Sequence, residues 1–264
     1  MARQGILKYT DREALNKLLV VNDLWASSGE LEGYDVIHKY GHNLDINGSF
    51  ETIWSEGTNY TFIPSATVLK ISSSSTDDTS DGTGARTVTI QGLDANYFEQ
   101  SETITLNGRT AVNTSNTYFR IHRMFVETAG SGNGNAGTIY AGTGTVTTGV
   151  PANKYAAIPV GYNQTMMAIY TVPYNKTAYM TMFYAQPDSQ ASYQAQMLTG
   201  RATDSGVLRV RNELHAFQNQ AIFNYKPYLK LTEKTDIQLR AKTGTANVEF
   251  AGGFSLLLVD DINA

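Results

Sequence analysis

The sequence predicts an all-β protein: two β-sandwich domains, the C-terminal one jelly-roll-like, preceded by an N-terminal arm with one short helix. Three observations predict it. The composition leans to Thr, Tyr, Ser, Gly and Asn, with charged residues at only 17%; Thr and Tyr favour pleated strands, and Gly and Asn favour tight turns. Short alternating runs recur from Phe50 onward, each bounded by turn residues. The last run is the strictest: Val248, Phe250, Phe254, Leu256 and Leu258 share one parity, with Gly252 in step, as a strand with one face in a core requires. At 264 residues a chain can bury roughly 70 to 75% of its unfolded surface, enough for real cores. The expected division is an arm at 1–47, a first sandwich at 48–150 and a second at 151–264.

The helix is placed at about 11–22. Thr10 followed by Glu13 forms a capping box, and Leu15, Leu18 and Leu19 make one apolar face. Residues 23–47 show no sustained period and read as an extended arm. "ETIWSEGTNYTFI" reads as strand, turn, strand, and "ATVLKISSS" as a further strand. Ser72–Gly84 carries no large apolar residue and is expected to be a solvent loop. Val88 and Ile90 then point one way and Thr87 and Thr89 the other; Ile104 and Leu106 repeat the alternation. Asn107-Gly108 is the strongest short hairpin signal, because both residues tolerate positive φ. Thr117–Glu127, dense in aromatics, predicts a strand buried on both faces or at an interface. Gly130–Gly149 reads as loop, short strand, loop, with the domain boundary within or just after it. Met166–Ala185 reads as a hairpin turning at Pro173, Tyr174 and Asn175, and residues 206–244 supply three or four more strands.

The same residues exclude or weaken most chemistries. Cysteine is absent, which removes disulfides, thiolate zinc sites and cysteine nucleophiles. Lys plus Arg is 20 against Asp plus Glu 24, a net charge of −4, without the basic clusters that phosphate neutralisation needs; no nucleic-acid partner is expected. No apolar run approaches the ~20 residues that span a bilayer, and the start lacks a signal-peptide core. No membrane partner is expected, and the chain should fold in a cytoplasm. Sequons at Asn47, Asn59, Asn113, Asn163 and Asn175 follow from the Asn, Ser and Thr content.

Gly132, Gly134 and Gly137 match a dinucleotide GxGxxG, but "TIYAGTG" follows where a helix should begin, so a flexible turn is the better reading. His38 and His42 have i, i+4 spacing, yet Gly41 intervenes in a non-helical context. His122 is flanked by Arg120 and Arg123, which disfavour a metal cation, and His215 reads as a strand residue. Aligning Asp77 with the first ligand of a calcium loop puts Asp81 fifth and Gly82 sixth, but Thr79 third and Val88 twelfth, where a bidentate Glu is needed. Glu99 and Glu102 are the nearest approach to a glycosidase pair; with Asp94 they are expected to be solvated loop carboxylates. Catalytic, cofactor-binding and metal residues are therefore all expected to be none, and no cofactor is implied. Exposed Tyr could contact carbohydrate or fill an interface.

Four ordered blocks carry a resemblance: "VIHKYGHNLDINGSFETIWSEGTNYTF", "GTGARTVTIQGLDANYFEQSETITLNGRTAV", "IPVGYNQTMMAIYTVPYNKTAYM", and "LTEKTDIQLRA" followed by "FSLLLVD". They are similar to a group of virion structural proteins of tailed bacteriophages, frequent among marine phages, and the similarity runs from about Val36 to Asp260. The resemblance implies a non-enzymatic particle component made in the bacterial cytoplasm. It leaves open which component; the expectation is an accessory head role, decoration or head fibre, with itself as partner in a homotrimer, since symmetric oligomers are the rule, and with major capsid or tail proteins as neighbours. The alternative is a tail or fibre component that binds host surface glycans.

Overall fold

The structure is a computed structural model that describes residues 27–29, 32–201, 206–244 and 247–261. The expected helix at 11–22 lies outside the described residues. Those residues form sixteen strands. The first two are β1 (Tyr34–Ile46) and β2 (Glu51–Thr52). Seven follow: β3 (Thr67–Ser73), β4 (Ala85–Leu93), β5 (Glu99–Thr105), β6 (Val112–Tyr118), β7 (Arg120–Ala129), β8 (Ile139–Thr147) and β9 (Val150–Ile158). The last seven are β10 (Ile169–Thr171), β11 (Lys176–Pro187), β12 (Ser192–Arg201), β13 (Arg209–Phe217), β14 (Ala221–Leu231), β15 (Thr235–Thr243) and β16 (Val248–Asp260). The protein is all-β, with several antiparallel sheets.

Two sheets, ordered β1-β16-β11-β14 and β10-β15-β12-β13, enclose one core, with β2 added beside β15. Phe183, Phe250 and Phe254 meet Leu239, Ile237 and Met197 there. The alternation expected of the last strand is present: Val248, Phe250, Phe254, Leu256 and Leu258 are all buried. Within these sheets β1 pairs β16, β10 pairs β15, β11 pairs β14 and β12 pairs β13. The pairs nest, so the chain is wound like one long hairpin folded on itself. The smaller sheets, β6-β3-β8-β9 and β5-β4-β7, enclose a second core of Leu69, Ile71, Val88, Ile90, Ile104, Tyr118 and Met124.

The second core is an insertion. It leaves the larger pair of sheets after β2 and returns at β10, and the two crossing points are clasped together. Ala168 N donates to Ile53 O at 2.9 Å, Ile53 N donates to Leu239 O at 3.0 Å, and Trp54 bridges Met167. Gly41 of β1 passes over this clasp so closely that a Cβ would lie 2.2 Å from Ile53 O and 2.5 Å from Ala168 N.

Three sequence expectations are corrected here. Residues 34–46, expected in the arm, are a full strand of the larger unit, paired with β16 from Tyr34↔Val259 to Ile46↔Val248. The boundary expected near 150 fails because β8 and β9 form a hairpin through Thr148 (φ 51°) and Gly149 (φ 83°), so β9 stays with the inserted sheets. Two expected hairpins are crossovers. After Asn107-Gly108 the chain leaves β5 and enters β6, which pairs β3 in the facing sheet. The turn at Pro173–Asn175 likewise carries the chain from β10 in one sheet to β11 in the other. A turn signal fixes where the backbone bends, and the facing layer decides which strand it then joins.

Candidate functional site

The polar face of β4 and β5 is closed by hydroxyls. Thr89 Oγ1 lies 2.8 Å from Thr103 Oγ1 and donates to Glu127 Oε2 at 3.0 Å, and Thr87 and Thr128 meet at 2.6 Å. Asp94 and the pair weighed for catalysis, Glu99 and Glu102, are given separate partners by this architecture. Asp94 Oδ1 accepts from Asn96 N at 2.7 Å and Phe98 N at 2.9 Å, which fixes the β4–β5 turn. Glu99 and Glu102 belong to β5 itself rather than to the loop. Glu102 accepts from the backbone N–H groups of Ser115 and Asn116 at 2.9 and 3.2 Å, pinning β6 across the edge. Glu99 faces Lys176 at 3.5 Å.

The Ser/Asp loop is organised by the residue next to the one weighed as a calcium ligand. Asp78 is fully buried. Its carboxylate accepts from the N–H groups of Ala85, Ala136 and Gly137 at 2.7, 2.8 and 2.8 Å and from the Ser73 hydroxyl. The loop is thus a folded knot around one anion held by backbone dipoles. Gly137, the last glycine of the GxGxxG pattern, is one of the donors, which gives that segment a structural use.

The histidines fall in different places. His38 and His42 both stand on β1; His38 Nδ1 lies 2.9 Å from Ser255 Oγ, and His42 Nε2 lies 2.6 Å from Glu249 Oε1. His215 contacts Glu213. Among the described residues no three His, Cys, Asp or Glu side chains converge as a metal site.

A cleft of about 500 Å³ lies between the two pairs of sheets. β1 supplies Val36 to Lys39; β4 and β5 supply Gln91 and Glu99 to Ser101; β7 supplies His122 and Arg123; and β10 supplies Tyr170. Lys39 shares the parity of Ile37 and pairs Phe254 across the ladder, so it is a cation on the core-facing side of β1. Its ammonium donates to the His122 carbonyl. Burial, with Arg123 adding to it, lowers Lys39 to about 7. His122 stacks on Tyr170 with ring centroids 4.1 Å apart. Burial first, and then Lys39, push the imidazole down to about 3, against a hydrogen bond to the Thr171 backbone. Burial raises the Tyr170 phenol, with Glu99 and Asp35 adding to it. Sequence reasoning passed over Lys39. Its signal is a lysine at the core parity of a strand, which becomes readable only once "VIHKYGH" is known to be a strand.

No family model and no curated protein matches the chain. Solved structures with some likeness include infectious bursal disease virus, Gx strain, at 8% identity, covering 89% of this chain and 74% of that one, with a TM-score of 0.25. The T=1 particles derived from infectious bursal virus give 10% identity, 88% and 71% coverage and a TM-score of 0.26. The PBSX exported protein XepA gives 10% identity, 85% and 86% coverage and a TM-score of 0.18. Likeness this low shows no function for this chain.

Proposed function

We propose that the chain is a non-enzymatic structural component of a tailed-phage virion. In this reading it is an accessory head protein, decoration or head fibre, that works by contacts between copies and with capsid or tail proteins. The observation that carries the reading is the ordered sequence resemblance from about Val36 to Asp260, which spans the paired strands of both cores. The strand nesting supports it. Numbered in chain order without the two-residue β2, the other eight strands of the larger unit lie as 1-8-3-6 and 2-7-4-5, which we read as a jelly roll, an architecture used by viral capsid domains. The smaller pair of sheets is then a second sandwich set between the first and second jelly-roll strands. We take the assembled state to be a homotrimer, in keeping with the rule that oligomers are closed and symmetric.

The test is location and copy number in the particle. An accessory head protein is recovered with tail-less heads in tens to hundreds of copies, and its density sits on the capsid lattice in a particle reconstruction. Recovery with purified tails alone would overturn the head assignment. That outcome would favour the second reading, a tail or fibre component binding host glycans. One feature supports this alternative: Phe98, half exposed, packs edge-on against Tyr174 at 5.0 Å, with Lys234 over the Tyr174 ring.

A further inference from the structure

We propose that the cleft between the two pairs of sheets is an oxyanion site in which Lys39 and Arg123 hold a carboxylate, sulfate or phosphate group. Both cations line the cleft, and among the described residues neither forms an ion pair with an acid. Lys39 donates to a backbone carbonyl, that of His122. Arg123 Nη2 donates to the neutral Gln164 Oε1 at 2.9 Å, and its guanidinium lies over the Phe125 ring. The acid on the cleft wall, Glu99, faces Lys176 at 3.5 Å. Two like charges brought together with no counterion repel, and that repulsion contributes to the lowered Lys39 value. An anion between them removes the penalty.

A second observation, independent of charge, marks the same wall. His122 Nε2 and Tyr170 Oη are both buried, and among the described residues neither has a hydrogen-bond partner. Native proteins seldom leave buried polar atoms unpaired, and of these two the Tyr170 hydroxyl is the one able to donate to an anion. These atoms lie out of reach of solvent. A ligand therefore meets Lys39 and Arg123 first, with the ammonium now held by the His122 carbonyl able to turn to the anion. The cleft volume falls within the roughly 300–1,000 Å³ of small-ligand sites. Bound charge must also be linked to protonation, because Lys39 is largely neutral at pH 8 without ligand and becomes charged beside an anion. The other titratable or charged groups facing it are His38, His122, Arg123, Glu99 and Tyr170.

The site does not depend on the virion reading, and each can fail alone. Isothermal titration at pH 8, in two buffers of different ionisation enthalpy, is run on the full chain with glucuronate, glucose, sulfate and phosphate. Saturable binding of the anions but not glucose, with proton uptake, is expected. Glucuronate binding tighter than the inorganic anions assigns the group to an acidic saccharide; the reverse order assigns it to a free inorganic anion. Lys39→Met should weaken anion binding at least tenfold and abolish proton uptake without lowering the melting temperature. Arg123→Gln, at an exposed side chain, should weaken binding several-fold and keep the uptake. Absence of saturable anion binding up to roughly 10 mM overturns the proposal, as does equal binding of glucose and glucuronate. So does anion binding that both variants leave unchanged.

Discussion

Arg120 of β7 grips Asp236 of β15 with two parallel hydrogen bonds, Nε to Oδ1 at 2.8 Å and Nη2 to Oδ2 at 2.9 Å, joining the inserted sheets to the larger unit. Both side chains are 5% exposed. Further contacts hold both groups. Arg120 Nη1 donates to the carbonyls of Ile63 and Phe119 at 3.1 and 2.8 Å, the guanidinium lies over the Phe62 and Phe119 rings, and the Thr171 hydroxyl donates to Asp236 at 2.6 Å. A buried pair offsets its desolvation only with good geometry and additional hydrogen bonds of this kind.

Removing one partner should therefore cost far more than removing both. Arg120→Met or Asp236→Leu alone leaves a buried charge unpaired and should destabilise by about 3–5 kcal/mol, whereas the double variant should lose clearly less than the sum. Urea unfolding of the four proteins forms the cycle, and additive single effects would refute the coupling.

Asp78 makes a sharper claim against its neighbour. Asp78→Ala strands the buried backbone donors of Ala85 and Gly137, the more exposed one of Ala136 and the Ser73 hydroxyl, and should cost roughly 2–4 kcal/mol. Asp77→Ala should stay within about 0.5 kcal/mol, as surface changes do. Millimolar calcium should not shift the wild-type melting temperature. A calcium-dependent rise lost in Asp77→Ala would restore the ligand-loop reading set aside above.

His122 predicts acid sensitivity. Its value in the folded chain, about 3, lies below the unfolded value of 6.5. Between those limits the unfolded chain binds a proton that the native chain does not, so stability must fall as pH drops from 6.5 towards 3. His122→Phe removes this titration while keeping a ring against Tyr170. Melting curves at pH 7 and 4.5 should show a smaller acid-induced drop in the variant than in wild type; an equal drop places the acid response elsewhere.

Gly41 tests the clasp. Gly41→Ala places a methyl group against the backbone of Ile53 and Ala168 and should cost about 1–3 kcal/mol through overpacking. An Ala substitution at Gly161, where a Cβ meets nothing within 4 Å but φ is +77°, provides a comparison with backbone strain alone. Differential melting of the two variants separates close packing from conformation.

How much of this was legible follows from what each residue reports. β16 was readable because Val248 to Leu258 face one core and little else, so hydrophobic period and burial coincide. The sites of turns were readable at Asn107-Gly108 and Asn175 because those positions need positive φ at Gly108 and Asn175. β1 was hidden. Before the bulge that leads to the buried Ile46, its core-facing positions include Ile37, Lys39 and Gly41, of which one is charged and one has no side chain, so alternation vanishes where the strand lines the cleft and crosses the clasp. The cleft was hidden for the same reason. Lys39 and Arg123 are 84 positions apart in a chain without a basic cluster, and only the insertion between β2 and β10 brings them together. The carboxylates misled in the opposite direction: Asp94, Glu99 and Glu102 are neighbours in sequence, and strand geometry gives each a different partner.

The free edges of the larger unit give the last prediction. β13 and β14 each end a sheet, and Val210, Phe217, Ile222 and Tyr228 on them are exposed. Arg209 and Arg211 on β13, and Lys226, Pro227 and Lys230 on β14, are the charged and Pro residues that keep an edge from unspecific pairing. Apolar side chains set among such residues suit a contact of fixed geometry rather than open stacking. The proposed homotrimer should therefore use this corner. Phe217→Lys with Ile222→Lys should shift sedimentation from trimer to monomer while the melting transition of the monomer stays cooperative, because both side chains lie outside the core. A double variant that remains trimeric would move the subunit contact to another face and leave these edges for a different virion protein.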